Sequence, residues 1–354
     1  MSKPAARQIT AIDLFCGVGG LTQGFRRAGI DVVMGVDLDP ACRYAFEANN
    51  AATFVNADVM QLPAEDLAAA FAATESVSLL AGCAPCQPFS TYSRSAKRER
   101  GGGSRGDRSD DWVLLRRFGE LVGDLKPDLV TMENVPPLRD QQAFREFVDG
   151  LRGYHVAHAV VDGRMIGLPQ TRKRLVLVGS TLGPIALPAP HGIPNTVRAT
   201  IESLPSLEAG GVDPCDALHT ASRLSALNLE RIRASNPGGT WRDWPERLRA
   251  KCHTRASGST YPSVYGRMTW DAPSPTITTQ CFGYGNGRFG HPKANRAISL
   301  REAAMLQGFP RDYRFLRPRE RASFATMGRL IGNAVPVPLG EYIGRVLVEH
   351  VSTA

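Results

Sequence analysis

Strand-like apolar runs alternate with helical patterns along the first 180 residues, and this alternation constrains the fold more than any other feature. It is typical of βαβ units, in which successive strands lie parallel in one sheet and helices cover its faces. We therefore predict an α/β fold with a doubly wound, mostly parallel sheet. The predicted strands are Ile9–Phe15, Val32–Val36, Thr53–Val55, Val77–Ala81, Leu129–Glu133, Tyr154–Val161 and Leu175–Gly179. The predicted helices are Leu21–Ala28, Pro40–Asn49, Glu65–Ala72, Trp112–Leu125 and Gln141–Arg152.

The alternation ends near residue 181, where Pro, Gly and Ser become frequent, and periodicity stays weak until about residue 296. This change predicts a second, smaller and irregular domain. Regular structure returns at Ser299, because Ser299 and Glu302 have the spacing of a capping box and predict the start of a helix. A final helix is predicted over Leu339–His350.

Composition narrows the class of protein. The 354 residues, 43% of them hydrophobic, suffice for one large or two modest cores. The sequence has neither a run of eighteen apolar residues nor a hydrophobic leader, and its seven cysteines lack the spacing of a disulfide framework. We expect a soluble, cytoplasmic protein with reduced thiols.

The net charge of +8 is confined to the second half of the chain. Residues 1–180 hold 21 basic and 21 acidic side chains, whereas residues 181–354 hold 21 basic and 13 acidic ones. The excess is +3 over 181–290 (11 basic, 8 acidic) and +5 over 291–354 (10 basic, 5 acidic). Such an excess suits a polyanionic partner. The excess is equally consistent with a basic surface that binds no partner, so charge alone does not identify a binding partner.

A glycine-rich turn, DLFCGVGG over Asp13–Gly20, follows the first predicted strand and opens a helix. Glycines let backbone N–H groups approach a ligand closely, and a helix N-terminus favours anionic groups. Asp37 ends the second strand twenty residues after Gly17, where its carboxylate can accept hydrogen bonds from ribose hydroxyls. This geometry serves both NAD and S-adenosylmethionine.

Several side chains favour S-adenosylmethionine over NAD. The carboxylate of Asp13 would repel a pyrophosphate but suits the methionine ammonium group, and Thr22 replaces the third glycine of the dinucleotide fingerprint. Phe15 can lie against the sulfonium. Asp58, beyond the third strand, is placed to accept a hydrogen bond from an adenine amino group.

Cys83 and Cys86 form a C-x-x-C sequence just past the fourth predicted strand, at the edge where doubly wound sheets bind ligands. A structural zinc site would need two further ligands at matching spacing. A thioredoxin-like pair would open a helix, whereas Pro88 and a Gly-, Ser- and Arg-rich stretch follow here. No metal site is therefore predicted.

Charged residues accompany these thiols near later strands. Glu133 ends an apolar strand, where a carboxylate is costly unless it is paired or used. The alternate spacing of Gln170, Arg172 and Arg174 directs the three side chains to one face. A thiol, a carboxylate and two guanidinium groups can thus meet at one sheet edge. That set fits nucleophilic attack on a pyrimidine ring, with the thiolate at carbon 6, the carboxyl group at nitrogen 3 and arginine at the carbonyl.

Taken in order, these motifs resemble the DNA (cytosine-5)-methyltransferases of the bacterial type, and the resemblance covers nearly the whole chain. Two positions depart from the family pattern, since Gly82-Cys83-Ala84 stands where Gly-Gly-Pro is common and Asp37 stands where Glu is common. Neither departure removes a catalytic group. The matching segments are DLFCGVGGL at 13–21, PCQPFS at 85–90, ENV at 133–135, QTRKR at 170–174, PSPTITT at 273–279, REAAMLQGFP at 301–310 and GNAVPVPL at 332–339.

The resemblance implies a Rossmann-like methyltransferase fold that uses S-adenosylmethionine and carries a smaller target-recognition domain. The implied parts are a catalytic and cofactor-binding domain (1–180), a target-recognition domain (181–290) and a C-terminal segment (291–354) that returns to the first. The implied substrate is double-stranded DNA, and we expect a nucleoid-associated monomer. The sequence leaves open whether a cognate restriction endonuclease acts separately alongside it. The implied cofactor-binding residues are Asp13, Phe15, Gly17, Gly19, Gly20, Asp37, Leu38, Asp58, Val59, Pro85 and Asn333.

The resemblance also implies a mechanism. Cys86 adds to carbon 6 of a flipped-out cytosine, and Glu133 contacts nitrogen 3 and the exocyclic amine. Arg172 and Arg174 orient the base, and carbon 5 accepts the methyl group. Residues 90–111 resemble the family's mobile loop that closes over DNA. The residues expected to contact DNA are Gln87, Ser90, Arg94, Arg108, Gln170, Arg242 and Arg255.

Three alternatives stay open at this stage. An RNA cytosine-5 methyltransferase would share the fold. A catalytically inactive DNA-binding regulator would not need the intact Cys86, Glu133, Arg172 and Arg174. An NAD oxidoreductase is disfavoured by Thr22 and by the Cys86 segment. The sequence does not identify the recognised DNA site.

Overall fold

The computed structural model describes residues 7–72, 76–85, 112–251, 253, 255 and 262–354. The chain separates into two units. Unit 1 comprises Met1–Asp162, Lys173–Pro190 and Leu339–Ala354, and unit 2 comprises Gly163–Arg172 and His191–Pro338. Of the C-terminal segment expected over 291–354, residues 291–338 lie in unit 2 and residues 339–354 lie in unit 1.

Unit 1 is built around one seven-stranded sheet. The strands are β1 (Ile9–Leu14), β2 (Asp31–Asp37), β3 (Thr53–Asn56), β4 (Val77–Gly82), β5 (Leu129–Asn134), β6 (His155–Asp162) and β7 (Lys173–Ser180). Their order in the sheet is β3-β2-β1-β4-β5-β7-β6. The first five strands pair in parallel, whereas β7 pairs antiparallel with β5 and β6. The predicted doubly wound, mostly parallel sheet is confirmed.

The central strands are buried along their whole length because both faces of the sheet are covered. All six residues of β1 and all six of β5 are buried. Edge strand β6 is buried fully only at Val161, and it exposes His155 and His158. Polar side chains on an edge strand discourage pairing with another chain.

The predicted helices of unit 1 are present, with small differences at their ends. The prediction over Pro40–Asn49 divides into a 3-10 turn, Pro40–Cys42, and a following α-helix. Asp39 caps that turn by accepting the Ala41 N–H at 3.1 Å. The described helices are α1 (Gly20–Arg27), α2 (Arg43–Asn50), α3 (Ala64–Ala72), α4 (Val113–Leu125), α5 (Gln142–Gly150), α6 (Val197–Ile201), α7 (Ala226–Arg233), α8 (Leu300–Leu306), α9 (Phe324–Asn333) and α10 (Val337–Thr353).

The order of the strands places the ends of β1, β2, β4 and β5 at one edge of the sheet. From β1 the chain runs outward through β2 and β3, and it then returns to β4 on the other side of β1. Such a switch point opens a crevice at the carboxyl ends of parallel strands. The N–H of Cys83 donates to the Leu14 carbonyl at 3.3 Å, so the segment after β4 lies beside the end of β1.

Aromatic side chains form a core in unit 2, whose described residues contribute no strand to the seven-stranded sheet. Trp241, Trp244 and Tyr284 are at most 5% exposed and pack with Ile232. Ser235 joins two of these rings, since its hydroxyl lies 2.7 Å from the Tyr284 hydroxyl and accepts the Trp244 indole N–H at 2.8 Å. These tryptophans therefore belong to the core of the unit.

Helices of unit 2 include one that the capping box predicts. The Ser299 hydroxyl and the Glu302 carboxylate cap each other's backbone N–H groups, and α8 begins at Leu300. Helices α6, α7 and α9 are absent from the sequence-based prediction. In α9, Gly328 and Gly332 interrupt the apolar pattern because this helix lies against the backbone of Thr278 and Thr279. Among the described residues, no helix is long and apolar enough to span a membrane.

The last helix, α10, packs closely on α1 within unit 1. A Cβ atom on Gly340 would lie 2.7 Å from the Leu21 carbonyl oxygen and 3.2 Å from the Gly24 Cα. Glycine at this position lets the two helix backbones approach each other.

We expect Gly340→Ala to destabilise unit 1 by about 1–3 kcal/mol, because backbone atoms of α1 must move to admit the methyl group. Gly123→Ala is the matched control, since Gly123 lies in α4 with no atom within 4 Å of its added Cβ. The free energy of unfolding of that control should rise by about 0.5–1 kcal/mol, because alanine has a higher helix propensity than glycine. Thermal and denaturant unfolding measure both effects, and equal stability of the two variants would contradict the close packing.

Candidate active site

The turn after β1 has the backbone shape that its glycines predict. Phe15, Gly17 and Gly19 have φ values of 59°, 53° and 85°. Gly19 precedes α1 without a side-chain cap, so the first N–H groups of that helix face the turn. The Gly17 N–H donates to Asp37 Oδ2 at 2.8 Å, and Asp37 Oδ1 accepts the Asp39 N–H at 2.9 Å. Asp37 therefore joins the end of β2 to the turn after β1.

Asp13 is the most unusual charged group of this region. It is 0% exposed, its Oδ2 accepts the Thr22 hydroxyl at 2.6 Å, and its Oδ1 has no hydrogen-bond partner. Burial raises the pKa of Asp13 to about 7, the Thr22 hydrogen bond opposes this rise, and the nearby Asp37 charge adds to it. A buried carboxyl oxygen without a donor is a place where a cationic or N–H group of a ligand can bind.

The other predicted cofactor residues of unit 1 lie around the ends of β2, β3 and β4. Leu38 is 68% exposed and Val59 is buried. Asp58 is half-buried and accepts the Met60 N–H at 2.9 Å, and Pro85 is exposed. The apolar side chain of Leu38 thus lies in solvent directly after the acid that ends β2.

Asn56 is a residue of this edge that sequence reasoning missed. Its side-chain amide donates to the carbonyls of Asp37 and Leu38 at 3.0 and 2.9 Å. These bonds hold the end of β3 against the end of β2. Its position at the end of a predicted parallel strand, level with Asp37, was the signal that could have identified it.

Glu133 and Arg174 form the paired charges that the sequence predicts at the sheet edge. The Arg174 Nε lies 2.8 Å from Glu133 Oε1, with exposed fractions of 16% and 9% for the two side chains. The antiparallel register of β5 and β7 sets Glu133 opposite Val176, two residues from Arg174. A partly buried, charge-assisted pair of this kind holds both side chains in fixed orientation.

Two thiols near these acids cannot ionise readily. Burial is the main cause that raises the pKa of Cys83 and of Cys16 well above the usual value, and neighbouring carboxylates raise it further. For Cys83 these carboxylates are Glu133 and Asp13. Asn134 donates to the Ala84 carbonyl at 3.0 Å and fixes the segment that leads from Cys83 towards Cys86.

Some predicted site residues lie outside the described part of the chain. The structure gives no description of the residues between 86 and 111, so their expected roles remain predictions. They are Cys86, Gln87, Ser90, Arg94 and Arg108.

Gln170 does not have the surface that a DNA contact requires. It is 0% exposed, and its amide donates to the Leu306 carbonyl and to Gln307 Oε1 at 2.9 and 2.7 Å. Its Oε1 accepts the Ile277 N–H at 3.1 Å. The expected DNA contact is therefore corrected to a structural role. The reason is that β7 begins at Lys173, so strand alternation does not extend back to Gln170.

Arg172 and Asn333 also belong to unit 2. Arg172 is 6% exposed, and its Nη1 donates to the Ile277 carbonyl at 3.1 Å. Asn333 ends α9 and is exposed. The Gln307 amide donates to the carbonyls on both sides of it, those of Ile331 and Ala334, at 2.8 and 3.3 Å. The turn that presents Asn333 is thus fixed from the interior of the unit.

The two remaining predicted DNA contacts, Arg242 and Arg255, are both exposed. The Arg242 guanidinium lies 5.6 Å from the centroid of the Trp241 ring. The His253 ring stacks on the same Trp241 ring, with the two ring centroids 4.3 Å apart. Arg242 is therefore carried by the aromatic core of the unit.

Comparison with known proteins identifies the family to which these features belong. Residues 9–349 match the family model for C-5 cytosine-specific DNA methylases. The chain belongs to the C-5 cytosine-specific DNA methylase family. It is 48% identical to the type II methylase M.HgiDII of Herpetosiphon aurantiacus over 94% of this chain and 93% of that protein. It is 30% identical to the type II methyltransferase M1.BsuMI of Bacillus subtilis, over 94% and 78% of the two chains. The protein is thus a DNA (cytosine-5)-methyltransferase.

Solved structures agree on the fold. A DNA modification methyltransferase encoded within an Escherichia coli prophage superposes with a TM-score of 0.71 at 23% identity, over 97% of this methylase and 99% of that chain. The Schizosaccharomyces pombe Dnmt2 methyltransferase gives a TM-score of 0.63 at 17% identity over the same shares. At these identities the likeness concerns the fold alone.

We expect Asp13→Asn to change how stability depends on pH. Because the folded-state pKa of Asp13 is raised from 3.8 to about 7, its neutral form favours folding below pH 3.8, and this contribution is lost as pH rises through 7. The unfolding free energy of the wild type should therefore fall, relative to Asp13→Asn, by about 1 kcal/mol per pH unit between these values. Denaturant unfolding at pH 4, 5.5, 7 and 8 measures it.

Thr22→Val provides the comparison for that experiment. Removing the hydroxyl takes away the hydrogen bond that lowers the pKa of Asp13, so the loss of stability should begin at the same pH and extend to higher pH than in the wild type. A pH-independent difference between the wild type and Asp13→Asn would contradict the buried, proton-binding carboxyl group.

We expect Gln170→Leu to lower the free energy of unfolding by about 2–4 kcal/mol. The reason is that the Leu306 carbonyl, the Gln307 side-chain oxygen and the Ile277 N–H each lose a buried hydrogen bond. Gln142→Leu, on the exposed surface of α5, should change stability by less than about 0.5 kcal/mol. Once folded, the Gln170 variant should bind DNA with the wild-type salt dependence. A selective loss of DNA affinity without loss of stability would contradict the structural role.

Proposed function

We propose that this enzyme transfers a methyl group from S-adenosylmethionine to carbon 5 of a cytosine in a specific duplex DNA site, as the methylase of a type II restriction-modification system. The observation that carries the chemistry is the Glu133–Arg174 pair at the end of β5, beside the fixed segment that leads to Cys86. The type II methylases that the chain resembles supply the substrate class and support a separate cognate endonuclease.

The edge formed by β1, β2 and β3 fits S-adenosylmethionine. The buried, unpartnered Oδ1 of Asp13 suits the methionine ammonium group, and the uncapped N-terminus of α1 is proposed to offer backbone N–H groups to the methionine carboxylate. Asp37 is proposed to accept hydrogen bonds from the ribose, and the exposed Leu38 suits an apolar ring face. When bound, S-adenosylmethionine supplies the electrophilic methyl group that carbon 5 accepts.

Cys86 is the proposed nucleophile because Cys83, its partner in the C-x-x-C sequence, stays protonated. A thiolate must form before it can attack, and burial raises the pKa of Cys83 well above the usual value. Cys86 Sγ adds to carbon 6, and the electrons of the carbon 5–carbon 6 double bond move towards carbon 5. After methylation, loss of the proton from carbon 5 re-forms the double bond and releases Cys86.

Glu133 and Arg174 act on the other side of the ring. A Glu133 carboxyl group that holds a proton at nitrogen 3 stabilises the adduct, since the ring then need not carry a negative charge. Arg174 and, with it, Arg172 hydrogen bond to the base carbonyl. The ion pair keeps the Glu133 carboxyl group oriented before the base arrives.

The target atom is inaccessible inside a duplex, so the cytosine must leave the base stack. Residues 90–111 are proposed to close over the DNA, and the region 181–290, with Arg242 and Arg255 on its surface, is proposed to read the site. Arginine reads guanine in the major groove through paired hydrogen bonds.

We expect Cys86→Ala to lose methyl transfer completely, with folding and S-adenosylmethionine binding retained, because the carbon 6 adduct cannot form. The assay is tritium transfer to duplex DNA, with tRNA as the alternative substrate. A duplex containing 5-fluorocytosine at the methylated position should trap wild-type protein as a covalent complex stable to denaturing gels.

Cys215→Ala removes an exposed thiol and is the control, which should form the covalent complex at the wild-type level. Peptide mapping should locate the crosslink at Cys86. Turnover by Cys86→Ala, or a crosslink at another cysteine, would overturn the mechanism. Incorporation into tRNA in preference to DNA would overturn the substrate.

A further inference from the structure

Five arginines lie on one short loop of unit 2, and the chemistry above uses none of them. We name residues 311–321 the arginine loop. Its sequence, RDYRFLRPRER, holds five arginines against two acids, a net charge of 5 − 2 = +3. All five side chains are exposed, and they are Arg311, Arg314, Arg317, Arg319 and Arg321.

The backbone of the arginine loop is fixed by aromatic side chains that point into unit 2. Phe309, Tyr313 and Phe315 are buried, and their ring centroids are 4.7 to 5.2 Å apart. The buried Arg301 donates from Nη1 to the Tyr313 carbonyl at 2.8 Å. A loop anchored in this way pays little additional backbone entropy when its outward side chains bind a partner.

Other arginines of unit 2 serve the fold, and the contrast is informative. Arg296 forms a two-bond pair with Glu302 at 2.7 Å, and Arg301 pairs with Asp216 at 2.6 and 3.0 Å. The five arginines of the arginine loop are exposed instead. The ion pair between Arg317 and Glu320, at 4.0 Å, is exposed on both sides and contributes little to stability.

The surface of the loop has the composition of a phosphate-binding site. Its aromatic residues face inward, and none of the large exposed hydrophobic side chains among the described residues lies within 311–321. A protein-binding site usually has an apolar or aromatic centre, which this surface lacks. Guanidinium groups bind phosphate oxygens through paired, charge-assisted hydrogen bonds.

We propose that the arginine loop binds the phosphate backbone of DNA without reading bases, and so adds sequence-independent affinity to the recognition made elsewhere in the enzyme. This inference rests on the proposed function, in which duplex DNA is the substrate. Contacts of this kind release condensed counterions from DNA, and they are therefore lost as salt concentration rises.

The test replaces all five loop arginines by glutamine and measures the affinity for a cognate duplex and for an unrelated duplex between 50 and 300 mM KCl. Each lost phosphate contact should reduce the slope of log K against log salt by about 0.9. We expect a reduction of at least about 2, equal for the two duplexes. The corresponding five Arg→Lys substitutions keep the charge and should keep most of the slope.

A charge-matched control separates local contact from the overall charge of the protein. It replaces five exposed arginines of unit 1 by glutamine, namely Arg27, Arg116, Arg145, Arg152 and Arg345. This control should keep the wild-type slope. Circular dichroism and thermal unfolding establish that each variant is folded.

An unchanged slope in the loop variant, or an equal change in the charge-matched control, would overturn the inference. A loss of affinity confined to the cognate duplex would also overturn it, because that result would assign the loop to base reading. A loop variant that loses affinity mainly for RNA or for an acidic protein would overturn it as well. Base-resolution mapping of methylated cytosines keeps this test distinct from that of the proposed function. If the wild type methylates carbon 5 of cytosine and the loop variant keeps the wild-type salt slope, the proposal for the loop is refuted and the proposed function stands.

Discussion

Strand β1 lies between β2 and β4 and pairs in parallel with both, and the whole site of unit 1 depends on that arrangement. Strand β1 ends at the buried centre of the sheet, so the chain must turn directly after it. Phe15, Gly17 and Gly19 adopt the left-handed backbone conformation that this turn requires. The hydrogen bond from Gly17 to Asp37 closes the turn onto the neighbouring strand. The same edge receives Glu133 from β5, so the groups proposed for binding and for catalysis arise from one topological feature.

The sequence predicts much of this edge because the relevant signals are local. Strand ends, turn glycines and acids at strand ends can each be read within a few residues, and Asp37 and Glu133 lie where the parallel-strand rule puts them. The capping box at Ser299 is a local signal of the same kind. Such signals need no knowledge of which segments meet in space.

The failures come from contacts that are distant in sequence. Gln170 follows the alternation of Arg172 and Arg174, yet β7 starts only at Lys173, and the side chain turns inward to residues more than 100 positions away. Helix α9 escapes prediction because Gly328 and Gly332 weaken its pattern, and only the backbone of 278–279 explains their presence. Burial likewise separates Cys83 from an ordinary C-x-x-C thiol, which spacing alone cannot do.

The place of α10 in unit 1 has a consequence for how the enzyme is made. Unit 1 takes its parts from three separate stretches of chain, the last of which begins at Leu339, and Gly340 lies against the backbone of α1 near the other end of the protein. During translation the ribosome must complete unit 2 before it delivers that helix. Native packing of unit 1 is therefore a late, non-local event. Until the residues beyond 339 have been synthesised, α10 cannot pack on α1, so unit 1 reaches its final packing only after the chain of unit 2 has been made.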